Sequence, residues 1–204
     1  MKAVFFDFDG VLTTDKTGSL SICKYVSDKS KIDIDIFADA YGQYNDKLLY
    51  GQLTHRDVWG DICKSLNVAI PYDILFESFI FTPVDNEVVK LVKQIKASGL
   101  KTGMITDNKR DRIDAIVAYH NWYSLFDVIA VSSTVGSGKE RADIFNVACN
   151  QAEVQPNESI FIDNTETNLV IPKAMGMKTF LYDDMSRKTD CLISYLQTFG
   201  ISCF

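Results

Sequence analysis

Val4-Phe5-Phe6-Asp7-Phe8-Asp9-Gly10-Val11-Leu12 decides how this chain is read. An apolar run ends in two carboxylates two residues apart, followed by a glycine. Side chains alternate along a strand, so Asp7 and Asp9 start on the same side of its end. A buried strand does not end in two like charges unless something compensates them. A divalent cation is the economical compensation, because hard cations take oxygen ligands. The stretch predicts a metal-dependent carboxylate site at the end of a first strand.

Outward from it, the chain alternates strand-like and helix-like pieces. Val84, Val88, Leu91, Val92 and Ile95 recur at helical spacing, with Thr82-Pro83 as expected cap and first turn and Gly99 as stop. Residues 101–106 read as a strand, 110–119 as a helix, Val128-Ile129-Ala130-Val131 as a strand and 141–152 as a helix. Ser159-Ile160-Phe161-Ile162 is a strand ending at Asp163, 166–175 a helix stopped by Gly176, and 178–181 a last strand. A final packing helix, carried by Leu192, Tyr195, Leu196 and Phe199, is expected within 187–204. Repeated strand–helix units predict an α/β fold, a Rossmann-like parallel sheet with helices on both faces. Ligands bind such sheets at the carboxyl ends of the strands.

Residues 19–81 differ, reading as helices without strands. Val58, Trp59, Ile62, Cys63 and Leu66 form an apolar stripe, and Thr54 with Asp57 resembles a capping box. The expected division is an α/β core of residues 1–18 and 82–204 with a small all-helical cap of residues 19–81, placed where a lid would sit.

Composition bounds the function. The 204 residues are 47% hydrophobic and 24% charged, with a formal net charge of -6. That is a globular composition able to bury a large core. An acidic balance argues against a nonspecific nucleic-acid binder but leaves room for a small anionic substrate. The five cysteines (Cys23, Cys63, Cys149, Cys191, Cys203) are odd in number and form no CxxC pair, as expected in a reducing, cytoplasmic setting. Neither a signal peptide nor a membrane span is expected.

Four polar clusters follow four expected strands: Asp7/Asp9, Thr106-Asp107-Asn108, Gly138-Lys139 and Asp163-Asn164. Each has a plainer reading alone. Asp-x-Asp suits a turn, Thr106-Asp107-Asn108 and Asp163-Asn164 suit helix caps, and Lys139 suits a solvated surface. Together they bring a carboxylate pair, a hydroxyl, a lysine and another carboxylate to one sheet edge, in that order.

That order resembles the four motifs of the haloacid dehalogenase-like (HAD) hydrolase superfamily. The third motif region runs from Gly138-Lys139 to Ile144-Phe145. The fourth is Phe161-Ile162-Asp163-Asn164, followed by Asn168, Ala174, Gly176 and Thr179. Gly51-Gln52-Leu53-Thr54 to Val58-Trp59 resembles the first cap helix of the phosphatase-type branch. The resemblance implies Asp7 as nucleophile, Asp9 as general acid and base, and Mg²⁺ held by Asp7, the Asp9 carbonyl and Asp163. It implies Thr106 on the phosphoryl group, with Asp107 and Asn108 also at the substrate, and Lys139 neutralising charge, so that its removal is expected to hurt catalysis more than folding. Asn164 and Asn168 would stand behind the ligands. Asn164 occupies a position where an aspartate is common, and Glu140 one where proline is common. Asn108 reads equally as a cap for the following helix.

Asp9 favours phosphoester hydrolysis over dehalogenation, because an alkoxide leaving group needs a proton and a halide does not. The expected function is a Mg²⁺-dependent phosphatase acting on a small phosphorylated metabolite, a sugar phosphate or nucleotide monophosphate, through an aspartyl-phosphate. The alternatives are a sugar phosphomutase and a noncatalytic phospholigand-binding module. No nucleic-acid or membrane partner is expected. In the cap, Tyr44, Lys47, His55 and Arg56 lie within possible reach of substrate, but residues 54–57 read first as a solvated helix start. His120 reads as a surface or packing residue, and Phe5, Phe6 and Phe8 as core.

Overall fold

The computed structural model describes residues 1–202. Five parallel strands, β1 (Ala3–Phe6), β2 (Lys101–Thr106), β3 (Val128–Val131), β4 (Ser159–Asp163) and β5 (Lys178–Leu181), form one sheet in the order β3-β2-β1-β4-β5. β1 is central. Phe6 pairs with Met104 on one side and Ile162 on the other, so the carboxyl ends of β1, β2 and β4 lie side by side.

β1 is buried throughout because each face feeds a different apolar layer. Val4 and Phe6 belong to one cluster, Ala3 and Phe5 to the other. The Ala3/Phe5 layer is covered mainly by Ile144, Phe145 and Ala148. The Val4/Phe6 layer is larger and takes in Val88, Val92 and Ile113.

Among the described residues, eleven α-helices surround the sheet. The segment after β1 supplies α1 (Gly18–Ser30), α2 (Ile34–Gly42), α3 (Asn45–Leu49), α4 (His55–Ser65) and α5 (Tyr72–Ile80), with no strand among them. Then come α6 (Asn86–Ala97), α7 (Arg110–Tyr119), α8 (Ser132–Val135), α9 (Ala142–Ala152), α10 (Val170–Ala174) and α11 (Thr189–Gln197). Phe37, Tyr41, Trp59, Ile62, Leu75 and Phe79 from the first five helices join the same apolar cluster as Val4 and Phe6. The helical insertion is thus continuous with the hydrophobic layer on one face of the sheet.

The stripe on α4 is buried at Val58, Trp59 and Ile62. Thr54 and Asp57 form the expected reciprocal capping box. Phe5, Phe6 and Phe8 are fully buried. His120 stacks on Trp122 at 4.9 Å between ring centroids, as a packing residue. Among the described residues, no helix is long and apolar enough to cross a membrane.

Three element readings need correction. α6 begins at Asn86, not at Thr82-Pro83, and Asp85 caps it by accepting from the backbone N–H groups of Glu87 and Val88. Residues 82–84 instead close the stem of the insertion: Thr13 bridges Val84, and the Thr14 N–H donates to the Pro83 carbonyl. Residues 166–175 split into a 3₁₀ turn (Glu166–Leu169) and α10, where Pro172 sits in the first turn and needs no donor. The last helix is confined to Thr189–Gln197, with Leu192 and Leu196 buried; residues 203 and 204 lie outside the described residues.

Gly103 is fixed by close approach. A Cβ there would stand 2.5 Å from Cδ1 of the fully buried Phe5 ring. Gly103→Val is therefore expected to cost about 1–3 kcal/mol by overpacking, read as a lower urea midpoint; an unchanged midpoint would show that the Phe5 layer has room.

Candidate active site

Asp7 follows β1 directly, Thr106 ends β2 and Asp163 ends β4. The Asp7 N–H donates to the Ile162 carbonyl at 2.8 Å, which sets the two carboxylates beside each other. Lys139 lies between them. Its Nζ is 2.9 Å from Asp7 Oδ1 and 2.7 Å from Asp163 Oδ2, and all three residues are buried. Burial pushes the Asp7 carboxyl well above the usual range; Lys139 opposes that shift and Asp163 adds to it. Burial also works against the Lys139 ammonium, but Asp7, Asp163 and Asp107 outweigh it and hold the lysine above its ordinary range.

The turn after β1 gives Asp9 its place. Gly10, at φ 82°, turns the backbone in the left-handed region. The Asp7 carboxylate accepts from the Phe8 N–H at 2.7 Å. Arg187, from the segment before α11, donates to the Gly10 and Val11 carbonyls at 3.0 and 3.1 Å and pairs with Asp85. The turn is thus anchored from the far end of the chain.

Asp9 is gripped by Arg112 on α7. Nη1 and Nη2 each stand 2.9 Å from a different Asp9 oxygen, a bidentate pair with the guanidinium fully buried. Asn108 donates to Asp9 Oδ2 at 2.7 Å and to Thr106 Oγ1 at 3.3 Å, and its Oδ1 accepts from Arg112. Asn108 is therefore not the cap of α7: Lys109 occupies that position, and no side chain caps the helix.

Asp107 lines the cavity, but its Oδ1 accepts the Lys139 N–H at 3.0 Å and shapes the Gly138-Lys139 loop. Burial raises its carboxyl, with Lys139 pulling the other way. Asn168 donates to both oxygens of Asp163 at 3.2 Å. Asn164 donates to Asp184 at 2.9 Å and so faces the β5–α11 loop with its amide nitrogen.

These groups border a cavity of about 410 Å³. Asp7, Asp9, Thr106 and Lys139 line its floor, and Ser19 and Asn45 enter from the helical insertion. Tyr44, Lys47, His55 and Arg56 do not line it. His55 starts α4 as read but is fully buried, not solvated. It bonds the Tyr41 hydroxyl at 2.8 Å and Asp111 at 2.8 Å, tying α4 to α2 and α7. Arg56 lies over the Tyr72 ring at 4.5 Å.

A family model described as haloacid dehalogenase-like hydrolase matches residues 1–176. The chain belongs to that family. A bifunctional riboflavin kinase/FMN phosphatase of Arabidopsis thaliana is 26% identical over 101 residues, 49% of this chain and 27% of that protein. The chain spans only 18% to 37% of the length of the first three curated relatives it matches. A HAD-like hydrolase structure from Porphyromonas gingivalis superposes with a TM-score of 0.73 at 16% identity, covering 97% of this chain and 98% of that one. A HAD enzyme from Bacteroides thetaiotaomicron, solved with magnesium and inorganic phosphate, superposes with a TM-score of 0.66 at 17% identity, covering 94% and 98%.

Pattern reading passed over Lys109, which lines the cavity, and Arg112 and Ser132, which bond the cavity residues Asp9 and Asn108. Arg112 carried one signal: it stands four residues before the buried Ile116, on the inward face of α7. Ser132 carried none; its hydroxyl accepts from the Asn108 N–H and donates to the Leu49 carbonyl.

The burial of Lys139 adds a cost in folding to the loss of catalysis expected on its removal. Without it, Asp7 and Asp163 face each other unpaired. Lys139→Met is expected to lose about 3–5 kcal/mol of stability in metal-free buffer at neutral pH. A raised carboxyl destabilises the fold above its folded-state pKa and ceases to do so as pH falls and it protonates. The deficit should therefore shrink on acidification, in denaturant melts between neutral and acid pH; a pH-independent deficit would assign it to packing alone.

Proposed function

We propose that the chain is a Mg²⁺-dependent phosphatase of small phosphorylated metabolites that works through an aspartyl-phosphate. The observation that carries this reading is the convergence of Asp7, Asp163 and Lys139 on one buried cluster beside Thr106, with the Asp9 carboxylate at the same cavity. Residues 19–81 would serve as the cap and residues 1–18 with 82–204 as the core. The FMN phosphatase relative and the magnesium- and phosphate-bound neighbour support the same reading.

The donor set fits magnesium. Asp7 and Asp163 supply carboxylate oxygens and Asp9 offers its backbone carbonyl, with no imidazole or thiolate among them. Lys139 already shows that the carboxylate pair accepts a cation. Bound magnesium would neutralise charge on the phosphoryl oxygens.

Asp7 attacks phosphorus through its carboxylate oxygen. Thr106 donates to a phosphoryl oxygen, and Lys139 supplies positive charge beside Asp7. Asp9 protonates the leaving alkoxide and then takes the proton of the water that cleaves the acyl phosphate. Arg112 and Asn108 hold the Asp9 carboxylate at the cavity. Asp107 fixes the Lys139 loop, and Asn168 and Asn164 support the region around Asp163.

Inorganic phosphate release across a panel of sugar phosphates and nucleotide monophosphates, with and without EDTA, tests the proposal. Turnover should disappear with EDTA and return with Mg²⁺. Asp7→Asn should lose at least about a thousandfold in kcat. Metal-independent turnover, or an Asp7→Asn protein as active as the parent, would sink the mechanism.

A further inference from the structure

Three cationic side chains are buried among the described residues: Lys109, Arg112 and Lys139. Two are matched by carboxylates. Lys139 has Asp7 and Asp163, and Arg112 has both oxygens of Asp9. Lys109 is only 4% exposed, yet its Nζ meets neutral oxygens, Asn45 Oδ1 at 2.9 Å and Ser19 Oγ at 3.3 Å. The Tyr41 ring lies 5.7 Å away.

An ammonium buried against neutral groups is costly. Burial, with Arg112 adding repulsion and Asp9 opposing it, brings Lys109 down to about 8. Lys109 also lines the cavity that holds Asp7 and Thr106, as do Ser19 at the start of α1 and Asn45 at the start of α3. The unmatched charge thus faces the space that a substrate enters, where core and insertion meet. The role of tether between α7 and the insertion does not by itself require a charge, since an amide or hydroxyl could bond Asn45.

The geometry points to Lys109, seated by Asn45 and Ser19, as a specificity-determining subsite for a second anionic group, carboxylate or phosphate, on the leaving-group side of a phosphomonoester. The inference rests on the phosphatase reading and names its substrate class: phosphorylated hydroxy acids or bisphosphates of a few carbons, rather than neutral phosphorylated alcohols. A compact ammonium suits either anion, as a point charge.

Three phosphomonoesters on one three-carbon skeleton test it. Glycerol 3-phosphate ends in a hydroxymethyl, 3-phosphoglycerate in a carboxylate and glycerol 1,3-bisphosphate in a phosphate. The kcat/KM of at least one anionic ester should exceed that of the alcohol by tenfold or more, and the favoured one identifies the anion. Lys109→Met, close in length and relieved of the buried charge, should collapse that ratio. Asn45→Asp, which would give Nζ an internal carboxylate, should lower it as well. Melting curves for both variants establish that they are folded.

Calorimetric binding of the same esters to Asp7→Asn protein in Mg²⁺ separates the two readings. Lys109-dependent preference in binding without turnover by the parent would leave the subsite standing and remove the phosphatase. Turnover with a ratio that Lys109→Met does not change would remove the subsite and leave the phosphatase. No preference for an anion in either measurement overturns the inference.

Discussion

The bridge from Lys139 to Asp7 and Asp163 is the constraint around which the rest of the structure is arranged. Parallel pairing brings the ends of β1 and β4 together, and with them two carboxylates that burial and mutual repulsion would otherwise keep apart. A single ammonium between them makes the arrangement tolerable. Its loop must then be held, which Asp107 does through the Lys139 N–H. Asp163 must be oriented, which Asn168 and the Thr165 N–H do through both of its oxygens. The same bridge ties stability to the proposed chemistry, since Asp7 and Lys139, the groups proposed to attack and stabilise a phosphoryl group, are among those whose charges the fold has to balance.

A second charged network lies on the insertion side. Arg112 spans Asp9, Asn108 and Thr82, so it links the first turn, the β2–α7 loop and the stem of the helical insertion. Gly18 is small for this reason: a Cβ there would press on the Arg112 guanidinium and the Asp9 carboxylate. Around this network, burial pushes the Asp111 carboxyl up, but bonds from His55 and the backbone bring it below the usual range, so an ionised Asp111 holds α7 against α4. The insertion is therefore joined to the sheet layer by apolar contact and by buried polar bonds at once, and the cavity lies at that junction.

Much of the fold was legible in the chain because it depends on local patterns. The strands at 101–106, 128–131 and 178–181 and the helix at 110–119 follow from apolar runs and 3.6-residue periodicity, and the capping box at Thr54 follows from spacing alone. The misplaced start of α6 has a tertiary cause: Thr82-Pro83 looks like a helix start, but those residues pair across the stem with Thr13 and Thr14. The burial of His55 has a similar cause. A histidine at a polar helix start looks solvated until the partners that bury it, Tyr41 and Asp111, arrive from 14 and 56 residues away.

By itself the sequence determined the parallel α/β architecture and the all-helical character of the segment after β1, and it picked out Asp7, Asp9, Thr106, Lys139 and Asp163 as one candidate site at the strand ends. Each of those rests on residue type and position relative to a strand end, which a linear chain displays. Only the tertiary structure decided what each charge faces. It gave Asp9 to Arg112, bonded the cavity-lining Asp107 and Asn108 to the Lys139 N–H and to Asp9, and left Lys109 buried among neutral oxygens. Those pairings join residues up to 103 positions apart. Electrostatic partnership depends on distance and burial in three dimensions, and neither is written in the order of residues along the chain.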